Sequence, residues 1–272
     1  MMTLLVVLVV VMFLTDAKPI HTFSATSPVF GITVVDNELY VLCARDDDQI
    51  EVFTTTDHAP QRRLPVPGLT SSAVVDIAAG QNCVHIADCI RRPQTIHNVS
   101  LNGGLSTWKV PVWAYGLSAT YDCSGLLITG RGRKNALVVL NGQGQLVHQI
   151  ELLPDTGIED PNHSVQLANG NFVVCHCGQS RLCIVDAGGK VIQTDRLADY
   201  SYLTYPVHLA VDRQNGYVFV ADQLCDRVVM LGPSLQFLRQ VIKLAQPRRL
   251  YFHQETRRLY VSHDCYVSVI QM

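Results

Sequence analysis

Charged side chains are scarce in this chain of 272 residues, because Asp, Glu, Lys and Arg together make up only 16% of it. A coiled coil needs far more charge at heptad spacing, so that class is excluded. Disorder is excluded as well, because 48% of the residues are apolar and can bury enough surface to offset the entropy lost on folding. The formal net charge is −2, so no overall field draws the protein to nucleic acid or anionic lipid.

Long apolar runs are also absent, apart from one at the N-terminus. Residues 3–14 read TLLVVLVVVMFL, which is shorter than the roughly 20 apolar residues of a membrane-spanning helix. This length is typical of a signal-peptide core, and Thr15 and Ala17 are small residues suited to cleavage after Ala17. We therefore expect residues 1–17 to be a signal peptide and residues 18–272 to be a secreted protein without a membrane span. The alternative is a cytoplasmic protein in which the run forms an apolar edge strand.

The sequence contains no Cys-x-x-Cys pair, although it has 9 cysteines, so a zinc ribbon is excluded. Nine cysteines are also too few for a fold of this length to be built from disulfides. Cys175 and Cys183 lie on neighbouring predicted strands, and in a secreted protein we expect a disulfide between them. Asn98 and Asn162 begin two glycosylation sequons, Asn-Val-Ser and Asn-His-Ser, and are candidate glycan sites.

No window after the N-terminal run shows a sustained helical period, whereas β-rich segments recur six times. Each repeat begins with two alternating apolar stretches joined by turn residues such as Asn169-Gly170. The first-strand anchors recur every 40 to 48 residues at Ile32, Ile77, Leu117, Val165, Leu209 and Leu250. The second-strand anchors recur every 41 to 46 residues at Val41, Ile86, Ile128, Val174, Val220 and Val261. A period of about 44 residues is the length of a four-stranded propeller blade. The sequence therefore predicts an all-β, six-bladed β-propeller.

The last repeat is incomplete, because the chain ends at Met272 after the third strand of that repeat. Residues 19–25 precede the first repeat and are compatible with a strand. We predict that they supply the missing fourth strand of the last blade, since this closes the ring and removes an exposed sheet edge.

The fifth repeat carries a resemblance to a known family. It reads VHLAVD from Val207, GYVFVAD from Gly216 and DRVVM from Asp226. These segments are similar to the NHL repeat, and the resemblance covers nearly the whole chain from Gly31 onward. It implies a six-bladed propeller. NHL propellers include protein-binding modules, RNA-binding modules and enzymes, so the resemblance indicates a fold rather than one function.

The loops from strand 4 to strand 1 and from strand 2 to strand 3 share one face of a propeller, around the mouth of the central channel. Basic and aromatic residues map to this face at Arg91, Arg92, Arg131, Arg133, Arg248, Arg249, Tyr115 and Tyr205. Such a mixture suits acidic peptides, anionic ligands and single-stranded nucleic acid. We expect the face to bind a protein or peptide, with nucleic acid a partner only if the protein is intracellular. The alternative is a solvated surface, because several acidic residues map to the same loops.

Two histidines, His163 and His208, begin the inner strands of the fourth and fifth repeats, where they can line the channel mouth, and we include them in the predicted ligand-binding face. The sequence around His163 is similar to the Pro-His-Ser of the peptidyl-hydroxyglycine amidating lyase, a secreted NHL enzyme, and this similarity implies zinc held by three histidines. The equivalent positions of the other repeats are Ile32 or Gly31 in the first, and Asp76, Gly116 and Arg249. The third histidine is therefore missing, and a single acidic residue disfavours the calcium cage of six-bladed lactonases. We expect neither zinc nor calcium.

The function that the sequence favours is a non-catalytic binding propeller that uses its loop face and needs no cofactor. A secreted, metal-dependent lyase of the NHL type is one alternative. An RNA-binding NHL propeller is another, provided that the protein remains inside the cell.

Overall fold

The structure is a computed structural model, and it describes residues 16–43, 49–67, 69, 74–88, 94–132, 134–152, 156–176, 179–194 and 203–272. Most of the predicted signal peptide lies outside these residues, so that interpretation stays a prediction. No helix in the described part of the chain is long and apolar enough to cross a membrane. Apart from a short 3-10 helix at Gln223–Cys225, its regular structure is β-strand.

Six antiparallel sheets of four strands form the blades of a propeller, as the repeats predict. Blade 1 contains β2 (Val29–Val35), β3 (Glu38–Cys43), β4 (Gln49–Thr54) and β5 (Pro60–Pro65). Blade 2 contains β6 (Val74–Gly80), β7 (Cys83–Asp88), β8 (Thr95–Ser100) and β9 (Leu105–Lys109). Blade 3 contains β10 (Trp113–Ala119), β11 (Gly125–Arg131), β12 (Asn135–Asn141) and β13 (Leu146–Leu152). Blade 4 contains β14 (Pro161–Gln166), β15 (Phe172–His176), β16 (Arg181–Val185) and β17 (Val191–Thr194). Blade 5 contains β18 (Pro206–Asp212), β19 (Tyr217–Asp222), β20 (Arg227–Leu231) and β21 (Phe237–Lys243). Blade 6 contains β22 (Pro247–His253), β23 (Arg258–His263), β24 (Tyr266–Gln271) and β1 (His21–Ser24).

The first strand of every blade lies at the central channel and packs against the first strand of the next blade. Strand β22 packs against β2 in the same way, so the ring is closed. The turns between first and second strands use residues that tolerate left-handed backbone. Asp36 and Asn37, with φ of 48° and 64°, join β2 to β3, as expected for the tight turn of a two-residue β-hairpin.

The hydrophobic core is divided into six clusters, and each cluster lies between two neighbouring blades. This division explains why the middle strands of each blade have apolar residues on both faces, because both of these faces are buried. In blade 4, for example, Val174 packs toward blade 3 whereas Cys175 packs toward blade 5. Packing between blades therefore takes the place of one central core.

The predicted disulfide between Cys175 and Cys183 is wrong. The register pairs Cys175 with Leu182 and Cys183 with Val174, so the two cysteines lie on opposite faces of the blade. Neither cysteine forms a disulfide in the structure. The hairpin brings the two strands together as expected, but the one-residue offset points the two Cβ atoms away from each other.

The N-terminal segment closes blade 6, which confirms the predicted closure. Strand β1 pairs with β24, with His21 opposite Val269 and Ser24 opposite Tyr266. The backbone N–H groups of Ile20 and Ala25 extend the ladder at 2.8 Å each. The strand therefore covers an edge that would otherwise be free to pair with another chain.

Deleting residues 18–26 should lower the melting temperature by several degrees, because each lost hydrogen bond contributes on the order of 1 kcal/mol to stability. The measurement is thermal unfolding followed by circular dichroism. Ile20→Ser is a matched control, since the Ile20 side chain is 53% exposed and its backbone bond is retained. A deletion variant that melts with the control would contradict this account of closure.

Candidate functional site

Every inner strand has a β-bulge near its start, on the face that carries the strand 4–1 and strand 2–3 loops, called the upper face here. The register shifts at the same place in all six blades. The residues that follow the bulges are Gly31, Asp76, Gly116, His163, His208 and Arg249. Six equivalent positions therefore surround the channel at one level. The repeat alignment identified five of them and left Ile32 or Gly31 open in the first blade, where the bulge selects Gly31.

The bulge also corrects one anchor of that alignment. Val174 lies opposite Ser164, as Val41 lies opposite Ile32, so the first-strand anchor of blade 4 is Ser164 and not Val165. The error is one residue. It arose because the apolar pattern alone does not reveal which inner-strand residue lies opposite the second-strand anchor.

Four polar side chains meet in the channel at this level, and we call Asp76, His163, His208 and Arg249 the channel cluster. The Oδ2 atom of Asp76 lies 3.4 Å from Nε2 of His208 and 3.6 Å from Nε2 of His163. The Nε atom of Arg249 lies 3.5 Å from Oδ1 of Asp76. The two imidazole rings stack with their centroids 3.7 Å apart. One carboxylate is thus the centre of the cluster.

The cluster also ties neighbouring blades together through backbone groups. The N–H of Leu117 donates to Asp76 at 2.9 Å, and the N–H groups of Leu209 and Leu250 donate to Nδ1 of His163 and His208 at 3.4 and 3.3 Å. In each pair the acceptor belongs to an earlier blade and the donor to the blade that follows it. Arg249 of blade 6 also ties blades together, but here the side chain is the donor. It donates to backbone carbonyls of blades 1 and 2 at 2.8 and 2.5 Å.

Glycine occupies the two remaining positions because a neighbouring blade fills the space. A Cβ atom on Gly116 would lie 2.9 Å from the ring carbon Cδ2 of His163 and 2.5 Å from the carbonyl of Asn162. A Cβ atom on Gly31 would lie 2.5 Å from the side chain of Ile77. No third histidine fits at either position without movement of the next blade.

Burial sets the protonation of the cluster. It lowers the pKa of His163 to about 3, with the neighbouring His208 acting in the same direction. Burial also lowers the pKa of His208 well below its usual value. It raises the pKa of Asp76, an effect that the positive charge of Arg249 opposes. Both imidazoles are therefore neutral at pH 7 and surround one buried carboxylate–guanidinium pair.

The donor set does not fit a metal ion as the side chains are placed. A zinc ligand needs the lone pair of Nε2, which requires the ring proton on Nδ1. In both histidines, however, Nδ1 faces a backbone N–H, so it must accept a hydrogen bond and the proton lies on Nε2. His163 uses that proton on the carbonyl oxygen of Leu117 at 3.0 Å. A single carboxylate is likewise far from the oxygen set that calcium requires.

The channel cluster separates two cavities. The upper vestibule has a volume of about 330 Å³ and opens on the upper face. It is lined by Val29, Phe30, Val75, Tyr115, Asn162, Tyr205, Val207, His208, Gln223, Arg248 and Arg249. The lower chamber has a volume of about 280 Å³ and extends toward the hairpins between first and second strands. His208 lines both cavities.

The upper vestibule brings together half of the residues predicted for the ligand-binding face. They are Tyr115, Tyr205, His208, Arg248 and Arg249. His163 lines the lower chamber instead. The predicted residues Arg91, Arg92 and Arg133 lie outside the described residues.

Arg131 lies beside the vestibule, where its guanidinium is held by local contacts. It lies 4.1 Å from the ring centroid of Tyr115 and donates to the carbonyl oxygens of Pro161 and Asp160 at 2.8 and 3.1 Å. Arg249 is held more firmly, because it points down the channel to Asp76. The sequence missed this inward direction, although the Pro-x-His and Pro-x-Arg spacing shared by blades 4, 5 and 6 marks the bulge that causes it.

The two candidate glycosylation sites occupy different environments. Asn98 lies in the middle of β8, opposite His85 and Ser106, and its Oδ1 atom is buried. Asn162 is the bulge residue of blade 4 and lines the upper vestibule. A glycan on Asn162 would therefore occupy the channel mouth. Both modifications stay predictions.

Solved structures share this architecture at low sequence identity. A protein of unknown function from Bacteroides thetaiotaomicron VPI-5482 aligns with 94% of this chain and 72% of its own, with a TM-score of 0.66 and 11% identity. Virginiamycin B lyase from Staphylococcus aureus aligns with 93% and 98%, with a TM-score of 0.63 and 12% identity. Hydrazine synthase from Kuenenia stuttgartiensis aligns with 92% and 97%, with a TM-score of 0.63 and 12% identity. No protein-family model and no curated protein matches the chain. The chain is thus a six-bladed β-propeller, and identities this low carry no activity to it.

Proposed function

We propose that the protein is a non-catalytic, NHL-type binding propeller whose upper vestibule takes an anionic group of a protein, peptide or small ligand. One contrast carries the proposal. Arg249 is neutralised by Asp76, whereas the guanidinium of Arg248 has no hydrogen-bond or ion-pair partner among the described residues. An unpaired cation in a concave site attracts anions and orients them. Tyr115 and Tyr205 add aromatic surface beside it.

The state of the channel cluster supports a binding role over a catalytic one. A general base needs a free lone pair close to its substrate. The Nδ1 atoms of both histidines accept backbone N–H groups, and Asp76 accepts two more from Ile77 and Leu117. The polar groups of the cluster are therefore engaged with one another and with the backbone.

The NHL-like residues of the fifth repeat support the family interpretation through their structural role. Asp222 is fully buried, and it binds Nε of Arg227 at 2.9 Å through Oδ2. Its Oδ1 atom accepts the backbone N–H groups of Thr204 and Tyr205 at 2.8 and 3.0 Å. The motif carboxylate thus holds the loop that brings Tyr205 to the upper vestibule.

The proposal can be tested with a fluorescein-labelled hexaglutamate peptide and its hexaglutamine analogue, in fluorescence anisotropy at low and physiological salt. We expect saturable binding of hexaglutamate that weakens as salt rises, because exposed charges are screened within about 8 Å at physiological ionic strength. Arg248→Glu should weaken this binding about tenfold or more, since it replaces attraction by repulsion.

Lys190→Glu is the matched control, because Lys190 is exposed and lies near the β16–β17 turn on the opposite face. It makes the same change of charge. Equal weakening by both variants, or no preference for hexaglutamate over hexaglutamine, would overturn the proposal.

A second candidate is a zinc-dependent lyase of the secreted NHL type. The observation in its favour is that ligand atoms of Asp76, His163 and His208 lie within 4.8 Å of one another, and that His208 lines the upper vestibule. Zinc would require both imidazole rings to turn over and release their backbone donors. Equilibrium dialysis against zinc decides between the candidates. One tightly held ion per chain, lost in His163→Gln, would favour the lyase.

A further inference from the structure

The lower chamber has a chemical character that the upper vestibule does not share. All six inner strands contribute to its wall, which is largely apolar through residues such as Ile32, Leu117, Val165, Leu250 and Phe252. The channel cluster closes its inner end, and the open end faces away from the vestibule. An apolar cavity of about 280 Å³ can hold a small hydrophobic molecule or group.

Among the described residues of the lining there is one cation and no carboxylate that balances it. The cation is Arg213, and the described residues of the lining include no other Lys or Arg and no Asp or Glu. Its guanidinium donates to the carbonyl oxygen of Thr120 at 3.2 Å and to Sγ of Cys123 at 2.7 Å. Its Nε atom has no hydrogen-bond partner in the described part of the chain. Neighbouring Arg257, by contrast, makes two bonds of 2.7 Å to Asp212.

We propose that the lower chamber binds a small apolar carboxylic acid, with its hydrocarbon part among the inner strands and its carboxylate on Arg213. Burial of the hydrocarbon contributes roughly 25 cal/mol per Å² of apolar surface removed from water. The carboxylate supplies the acceptor that Nε of Arg213 lacks among the described residues, and such charge-assisted bonds are stronger than neutral ones.

The electrostatics of the chamber determine the orientation of this ligand. Its inner end lies against the channel cluster, where Arg249 is already paired with Asp76 and the described residues offer no free cation to a second carboxylate. Arg213 lies at the other end, beside Cys123 of the β10–β11 turn. The acid therefore enters with the hydrocarbon first, and the charged group stays near the opening.

Octanoate is a suitable probe, and 1-octanol is its neutral analogue. Isothermal titration calorimetry should show one octanoate site per chain and weaker binding of octanol. Arg213→Met should weaken octanoate about tenfold, whereas Arg213→Lys should retain much of the affinity because it keeps the charge. Ala119→Leu narrows the chamber and should weaken both probes. Arg62→Met, outside the linings of both cavities, should change neither.

A footprint on wild-type protein keeps the test independent of folding defects in the variants. Octanoate should slow alkylation of Cys123, measured by peptide mapping, because Cys123 contacts Arg213 at the chamber mouth. Cys225 on the upper face is the control, and its alkylation rate should not change. Equal binding of octanol and octanoate, or octanoate binding that Ala119→Leu leaves intact, would overturn the proposal. An unaltered Cys123 rate at saturating octanoate would do the same.

Discussion

Acidification from pH 7 to pH 5 should remove a large part of the stability of this propeller. Among the buried histidines whose pKa is lowered in the folded state, four carry this prediction, and burial is the largest cause in each of them. They are His58, His85 and His176, each with a pKa of about 4, and His163, with a pKa of about 3. All four are at most 7% exposed.

The direction follows from proton linkage. The unfolded chain binds protons at its ordinary histidine pKa of 6.5, whereas the folded chain resists them until about pH 4. Stability is therefore fully present above pH 6.5 and is lost as the pH falls from about 6.5 toward 4. The loss between pH 7 and pH 5 is about 2 kcal/mol for each histidine. The sum is an upper bound, yet it is comparable with the whole stability of a typical domain.

Urea denaturation at pH 7, 6 and 5, followed by tryptophan fluorescence, measures this loss. His85→Phe is the informative variant, because its ring can keep the packing on Trp108, which lies 4.8 Å from the ring of His85. The free energy of unfolding of this variant should fall less steeply with decreasing pH, because one histidine fewer takes up a proton on unfolding. This holds whatever the stability of the variant at pH 7. A denaturation midpoint that stays constant from pH 7 to pH 5 would show that the histidines are not buried neutral.

The second large effect should come from the buried pair of Asp76 and Arg249. Asp76→Ala should cost about 3–5 kcal/mol, because it leaves the guanidinium of Arg249 without its counter-ion and the backbone N–H groups of Ile77 and Leu117 without their acceptor. Arg249→Met should cost a similar amount, since it leaves a carboxylate that is 1% exposed without its counter-ion. The double variant should lose at least 1 kcal/mol less than the sum of the single losses, because the two residues act as one unit.

Denaturation of the two single variants and the double variant gives the coupling free energy directly. Arg62→Met is the control, because Arg62 pairs with Glu38 at a position where its side chain is 38% exposed. Exposed pairs contribute about 0–1 kcal/mol. An Asp76→Ala variant no less stable than Arg62→Met would mean that the channel cluster is not a structural tie between blades.

The repeat pattern was sufficient to predict the blades and their order, because each repeat has the same local preference for strands joined by tight turns. The alternation of apolar residues identifies the strands, and turn residues such as Asn37 and Gly170 mark where they reverse. Closure by residues 19–25 was predictable for a different reason. A truncated last repeat leaves one edge free, and the chain has one unassigned strand to cover it.

The sequence could not show which face of the blade each cysteine occupies, or which of the cations on the predicted ligand face is free to bind a ligand. Whether Cys175 and Cys183 share a face depends on a register offset of one residue, which composition and spacing do not reveal. The cations of the predicted ligand face likewise differ only through their neighbours. The guanidinium of Arg131 lies over the ring of Tyr115 and that of Arg249 pairs with Asp76, whereas that of Arg248 has no partner among the described residues. The signal available in the sequence was the Pro-x-His and Pro-x-Arg spacing at the start of three inner strands.

The sequence by itself determined that this chain is an all-β propeller of six blades with its N-terminal strand in the last blade. Local periodicity carries that information, because each blade repeats the same apolar alternation and the same turns. Only the tertiary structure decided what the channel contains. Residues far apart in the chain meet there across blades, such as Asp76 with Leu117, 41 positions away, and with His208, 132 positions away. The repeat period identifies which residues occupy equivalent positions in the blades. Closure of the ring determines which of these residues contact one another.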